Sequence, residues 1–162
     1  MFNIGDMAVY PAHGVGVIEA VENKVIGGEE KTFYVMRILE TNMTVLVPKD
    51  NAQRVGLRSL ISKEEAARVY EILGTKELSF NHQTWNRRYR EYMEKLKSGS
   101  IFEVAEVYRD LHLVSRQKPL SYGERKLFDT ARCLLVKELA LAENLEEDEV
   151  ERKIREALAQ AP

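Results

Sequence analysis

The chain has 162 residues, 44% apolar and 31% charged, with 24 basic and 26 acidic side chains and a net charge of −2. This composition fits a globular protein that buries roughly two-thirds of its surface, and the lone cysteine, Cys133, excludes an internal disulfide or a CxxC metal site. No stretch reaches the ~18 uninterrupted apolar residues of a membrane span, and the start, MFNIGDMAVYP, lacks the basic and apolar runs of a signal peptide, so a cytoplasmic setting is expected.

The first sixty residues read as β structure. Short apolar runs at 7–10, 15–21, 32–39 and 44–47 are separated by turn signals at Gly14/Gly16, Gly27-Gly28 and Thr41-Asn42, and a run near 53–60 would close the set. Five short strands at this spacing suggest a small barrel of SH3 or Tudor type. In 32–39 one face is Tyr34, Met36 and Ile38 and the other is Phe33, Val35, Arg37 and Leu39. Both are largely apolar. One must line the core; the other is either a protein-binding surface or is covered by a neighbouring segment.

From Ser62 the pattern turns helical. Ser62 with Glu65, Ser100 with Glu103 and Ser121 with Glu124 have capping-box spacing, and Asn144 with Glu147 offers a fourth helix start. Gly74 and Gly99 mark helix ends and Pro119 a loop. The spacing predicts helices near 63–73, 83–98, 101–114, 122–143 and 146–160. The expected fold is therefore α+β: a small Tudor/SH3-like β-barrel over 1–61, followed by a compact all-α domain over 62–162.

Charge is distributed unevenly along the chain. Residues 1–86 carry 9 basic and 11 acidic side chains, residues 87–137 carry 12 and 7, and residues 138–162 carry 3 and 8. A basic middle between acidic ends is a localised electrostatic footprint. Within it, TWNRRYREYMEKLKSGS sets Trp85 beside Arg87, Arg88 and Arg90, with Lys95 and Lys97 further along the same helix. Guanidinium groups next to an indole suit nucleic acid: the arginines hold phosphates and the ring stacks or wedges. The same spacing also gives an inward stripe of Trp85, Tyr89, Tyr92, Met93 and Leu96. Spacing alone leaves both readings open.

Enzymatic chemistry has little to stand on. His13, His82 and His112 make no metal-ligand pair, and Gly14-Val15-Gly16 lacks the rest of a dinucleotide fingerprint and reads as a turn. Cys133, in ARCLLVKEL, lies on an apolar helical face and is read as core. The carboxylates of 143–151 read as a solvated helix face. No cofactor or metal is expected.

Several long stretches resemble the CarD family of bacterial transcription regulators, over almost the whole chain. GDMAVYPAHGVGVIEAVE, FYVMRILETNMTVLVP and NAQRVGLRSLIS are similar to that family's RNA-polymerase-interacting domain, a Tudor-like module also found in the transcription-repair coupling factor. WNRRYREYMEKLKSGSIFEVAEVYRDL and LSYGERKLFDTARCLLVKELALAE resemble its helical DNA-binding domain. With no AT-hook repeat in sight, the chain is closer to the short stand-alone CdnL form.

The resemblance implies a non-enzymatic protein that docks on the polymerase β subunit and stabilises the promoter open complex. In the family a tryptophan wedges into the minor groove at the upstream edge of the bubble, and here that residue is Trp85. Arg88, Arg90 and Arg125 match as basic contacts, with Arg87 and Lys126 as additions. The polymerase-facing strand matches TVLVP, which carries over Leu46 and Pro48, and Lys24 occupies a position that is basic in some relatives; some place arginine where Leu46 stands. The chain is expected to be a monomer, away from membranes, associated with the nucleoid through the polymerase. The rival reading is a protein-only adaptor whose helical domain binds another protein and whose Trp85 is core.

Overall fold

The computed structural model describes residues 2–75 and 85–159, and of Trp85 and Asn86 the backbone alone. His82, the expected helix start at 83–84 and the expected helix end at 160 lie outside the described residues. The chain forms two compact units, Met1–Leu60 and Ile61–Pro162.

The first unit is an antiparallel sheet of β1 (Met7–Tyr10), β2 (Gly14–Ile26), β3 (Glu29–Ile38), β4 (Thr44–Pro48) and β5 (Arg58–Ser59), in the order β4-β3-β2-β1-β5. Four strands meander, and the fifth returns to pair with the first. This is the Tudor-like arrangement, but the sheet is not closed: β4 and β5 are its two edges. The expected last strand shrinks to two residues. Residues 52–56 form turns instead, with the Gly56 amide donating to the Gln53 carbonyl and Gly56 at φ +85°, a conformation no strand allows.

Alternation along β3 places Tyr34, Met36 and Ile38 in the core with Ala8, Ile18 and Val47. Gly14-Val15-Gly16 opens β2 rather than forming a turn. At Gly16 a Cβ would sit 2.6 Å from Met36 Cε and 2.8 Å from the Arg37 carbonyl, so glycine is there for close approach.

The second unit comprises α1 (Lys63–Leu73), α2 (Trp85–Lys97), α3 (Ile101–Ser115), α4 (Tyr122–Glu143) and α5 (Glu147–Ala159). The apolar α3 packs on α1, α2 and α4, and the core runs through Val69, Leu73, Leu111, Leu135, Leu139 and Val150. Ser62 and Ser121 form full capping boxes. At Ser100 the hydroxyl accepts from the Glu103 amide, but the Ser100 amide donates to the Ser98 hydroxyl, which takes the place of the glutamate's return bond.

Two further expectations change. Asn144 does not start α5: it adopts the left-handed conformation (φ 57°, ψ 49°) and closes α4. Gly74 ends α1 as expected, with right-handed dihedrals, and a Cβ there would lie 3.3 Å from the Ala157 carbonyl of α5. Cys133 is exposed on α4 rather than core, because the buried stripe of that helix runs through Leu127, Ala131, Leu135 and Leu139.

Candidate docking face and nucleic-acid interface

With Tyr34, Met36 and Ile38 turned into the core, Phe33, Val35 and Arg37 point to the other face of the sheet, where Phe33 is buried and Val35 and Arg37 are half-buried. Residues directly opposite in a ladder share a face. Val35 pairs with Ala20 and Leu46, Phe33 with Glu22 and Pro48, and Lys31 with Lys24. Leu46, Pro48 and Lys24 therefore lie on one face, in successive rows. Leu46 is 45% exposed, Val35 half-buried and Lys24 exposed, with the Lys24 ammonium 4.0 Å from Glu22. β4 is an edge strand and Pro48 ends it, consistent with a residue that cannot donate to a ladder.

Lys24 reaches that face through an irregularity. The register shifts between Ile18, which pairs with Met36, and Ala20, which pairs with Val35. The extra residue, Glu19, reverses the parity of β2. Without it, Lys24 would share the side of Ile18, which faces the core.

In the helical unit the expected stripe on α2 divides. Tyr92 and Leu96 are buried and Met93 is half-buried, whereas Tyr89 is 40% exposed. The inward face of α2 thus opens to solvent at Tyr89. Arg87 and Arg90 are exposed and Arg88 is half-buried. The Arg87 guanidinium stands 4.0 Å from Glu91, a loose helical pair.

Tyr92 shows what lies behind this surface. Burial raises its phenol well above the usual range; Asp110 adds to the effect, Arg88 opposes it, and Glu124 raises it further. Arg88 on α2 and the buried Glu124 in the first turn of α4 thus both act on Tyr92, at the contact between α2 and α4. Arg125 and Lys126 follow Glu124 and are exposed. The structure groups these two with the arginines of α2 in one unit; Leu46, Pro48 and Lys24 belong to the other.

Ion pairing sharpens the basic surface. The carboxylates of α5 take up cations of α4: Arg132 pairs with Glu151, and Lys137 with Glu147 at 2.8 Å. Lys95 pairs with Glu106 and Arg109 with Asp110. Arg90, Arg125 and Lys126 make no ion pair with another described residue. Among the described residues, positive charge without an ion partner thus stands at the start of α2 and in the first turns of α4, as it also does at Lys97, Arg116 and Lys118. Two exposed tyrosines join it that the sequence reading did not single out for DNA, Tyr89 and Tyr122. The turn signal before Tyr122 was legible, but its exposure was not.

Among the described residues no three His, Cys, Asp or Glu side chains gather as a metal site, and no helix is long and apolar enough to cross a membrane.

Residues 2–61 match the family model described as the CarD-like/TRCF RID domain, and residues 68–155 that of the CarD C-terminal domain. The chain is 35% identical over 158 residues to YdeB of Bacillus subtilis (strain 168), which is named for a transcription-factor role; the match covers 93% of this chain and 97% of the relative. Two solved structures are similar over the N-terminal part. CdnLNt from Myxococcus xanthus is 43% identical, covering 39% of this chain and 89% of that one, with a TM-score of 0.34. The 72-residue N-terminal domain of Myxococcus xanthus CarD is 34% identical, covering 36% and 79%, with a TM-score of 0.32.

Proposed function

The chain belongs to the CarD family of non-enzymatic transcription regulators, and from that membership we propose that it binds RNA polymerase through its sheet and promoter DNA through its helices. The sheet would dock on the β subunit with the outer face and free edge of β4, where Leu46 supplies apolar contact, Pro48 ends the strand and Lys24 adds charge at the far end. The helical unit would meet DNA at the upstream edge of the bubble, with Trp85 in the minor groove and Arg87, Arg88, Arg90, Arg125 and Lys126 on phosphates. The protein acts as a monomer, in the cytoplasm, on the nucleoid.

The observation that carries this reading is the segregation of charge. The acidic α5 pairs with Arg132 and Lys137, whereas Arg90 on α2 and Arg125 and Lys126 on α4 make no ion pair with another described residue. Weak contacts suffice because docking supplies a high local DNA concentration, of order mM for a short connection. Function then follows from differential binding. A tryptophan that fits the groove only when the duplex is distorted adds ~1–3 kcal/mol to the open complex alone, which shifts the open–closed equilibrium about 5- to 150-fold.

Salt dependence tests the reading. Open-complex lifetime is measured against salt with the wild type and the Arg90→Gln/Arg125→Gln double variant. Each lost phosphate contact flattens the log–log slope by roughly 0.9, while polymerase capture stays intact. An unchanged slope would favour the protein-only adaptor.

A further inference from the structure

Tyr122 is 83% exposed, the highest value among the exposed large apolar side chains of the described residues. A single exposed aromatic is ordinary; what distinguishes this one is its setting. It opens α4 on a turn held by reciprocal capping, with the Glu124 amide donating to Ser121 Oγ at 3.2 Å and the Ser121 amide donating to Glu124 Oε1 at 2.9 Å. Residues three and four apart on a helix share a face. Tyr122, Arg125 and Lys126 therefore project together, and both cations are exposed. Asp129, one turn further and also exposed, bounds the cationic surface with a negative charge.

An exposed ring on a capped first turn, beside two cations, matches a sugar–phosphate backbone. The cations neutralise phosphates, and the ring covers the apolar face of a deoxyribose. We propose that Tyr122 is a second aromatic contact to duplex DNA, packing on the sugar–phosphate backbone next to Arg125 and Lys126. This rests on the reading that the helical unit meets DNA. The contact is independent of base sequence, and it grips the duplex at a point separate from Trp85.

The test uses the full chain with polymerase and promoter DNA, and reads open-complex lifetime over a range of salt for Tyr122→Ala, Tyr122→Phe and Arg125→Gln. Tyr122→Ala shortens the lifetime about 5- to 10-fold, in the range found for aromatic contacts to nucleic acid. Its salt slope stays that of the wild type, because a neutral phenol releases no counterion. Tyr122→Phe keeps most of the lifetime, since the ring remains. Arg125→Gln lowers the slope. An unchanged lifetime for Tyr122→Ala beside a shortened one for Arg125→Gln overturns the Tyr122 contact and leaves the DNA reading standing. Unchanged lifetimes in both variants overturn the DNA reading with it. Loss of polymerase capture by Tyr122→Ala without DNA would assign the surface to a protein and overturn the proposal.

Discussion

The backbone amide of Ile61 donates to Oε2 of Glu138 at 3.1 Å across 77 residues of sequence, and that carboxylate is only 2% exposed. The entry to the helical unit is thereby tied to the middle of α4. Removing the acceptor leaves a buried amide without it, which costs about 1–3 kcal/mol. Glu138→Ala should lower the unfolding free energy by that amount, read from urea titrations followed by helical circular dichroism. Glu138→Gln, whose amide oxygen still accepts, should lose clearly less. Equal losses in the two variants would show that packing, not the hydrogen bond, accounts for the effect.

Gly16 tests the sheet. Its missing Cβ makes room for Met36 and for the Arg37 carbonyl, and a backbone atom cannot move aside as the end of a side chain can. Gly16→Ala should destabilise the N-terminal unit by about 1–3 kcal/mol through overpacking, despite alanine's more favourable unfolded-state entropy. Thermal melting of the single variant checks this, and a rise in melting temperature would contradict the packing argument.

Leu46 separates docking from folding. Opposite Val35 and 45% exposed, it contributes little to the core formed by Tyr34, Met36 and Val47. Leu46→Glu should abolish capture of the polymerase β subunit and leave melting unchanged within about 0.5 kcal/mol. A variant that unfolds, or one that still captures the subunit, removes Leu46 from the interface.

For Trp85 the decisive comparison is stability against lifetime. α2 is secured by Tyr92 and Leu96, two and three turns further along. Trp85→Ala should therefore cost less than about 1 kcal/mol, against the ~3–5 kcal/mol of a truncated core tryptophan. It should still bind polymerase and fail to prolong the open complex, while Trp85→Phe retains part of the effect. A large fall in melting temperature with the lifetime intact would make Trp85 a structural residue.

Much of the architecture was legible because its causes are local. The capping chemistry of Ser62 and Ser121 and the apolar periods of α1, α3 and α4 act within one or two turns, and the helices lie within two residues of their expected bounds where both ends are described. Strand alternation likewise set out the two faces of β3. Local chemistry also misled where two local choices competed. Asn144 has the residue type of a helix start, yet closes α4 because it tolerates the left-handed conformation. Cys133 sits in an apolar run and faces out, since the helix needs only one buried stripe.

What the sequence determined by itself was the division into a β unit and a helical unit, the family resemblance, and a basic segment flanked by acidic ones. Tertiary structure alone decided which of those charges remain available and which side chains meet. Arg132 and Lys137 belong to the basic segment but are paired with Glu151 and Glu147 of α5, whereas Arg125 and Lys126 make no ion pair with another described residue. Lys24 joins Leu46 and Pro48 only because the irregularity at Glu19 reverses the parity of β2. Tyr122 is a surface residue because no described residue packs over it at the first turn of α4. Pairing between distant segments depends on register and on helix placement, and neither is encoded in the spacing of residues along a single element.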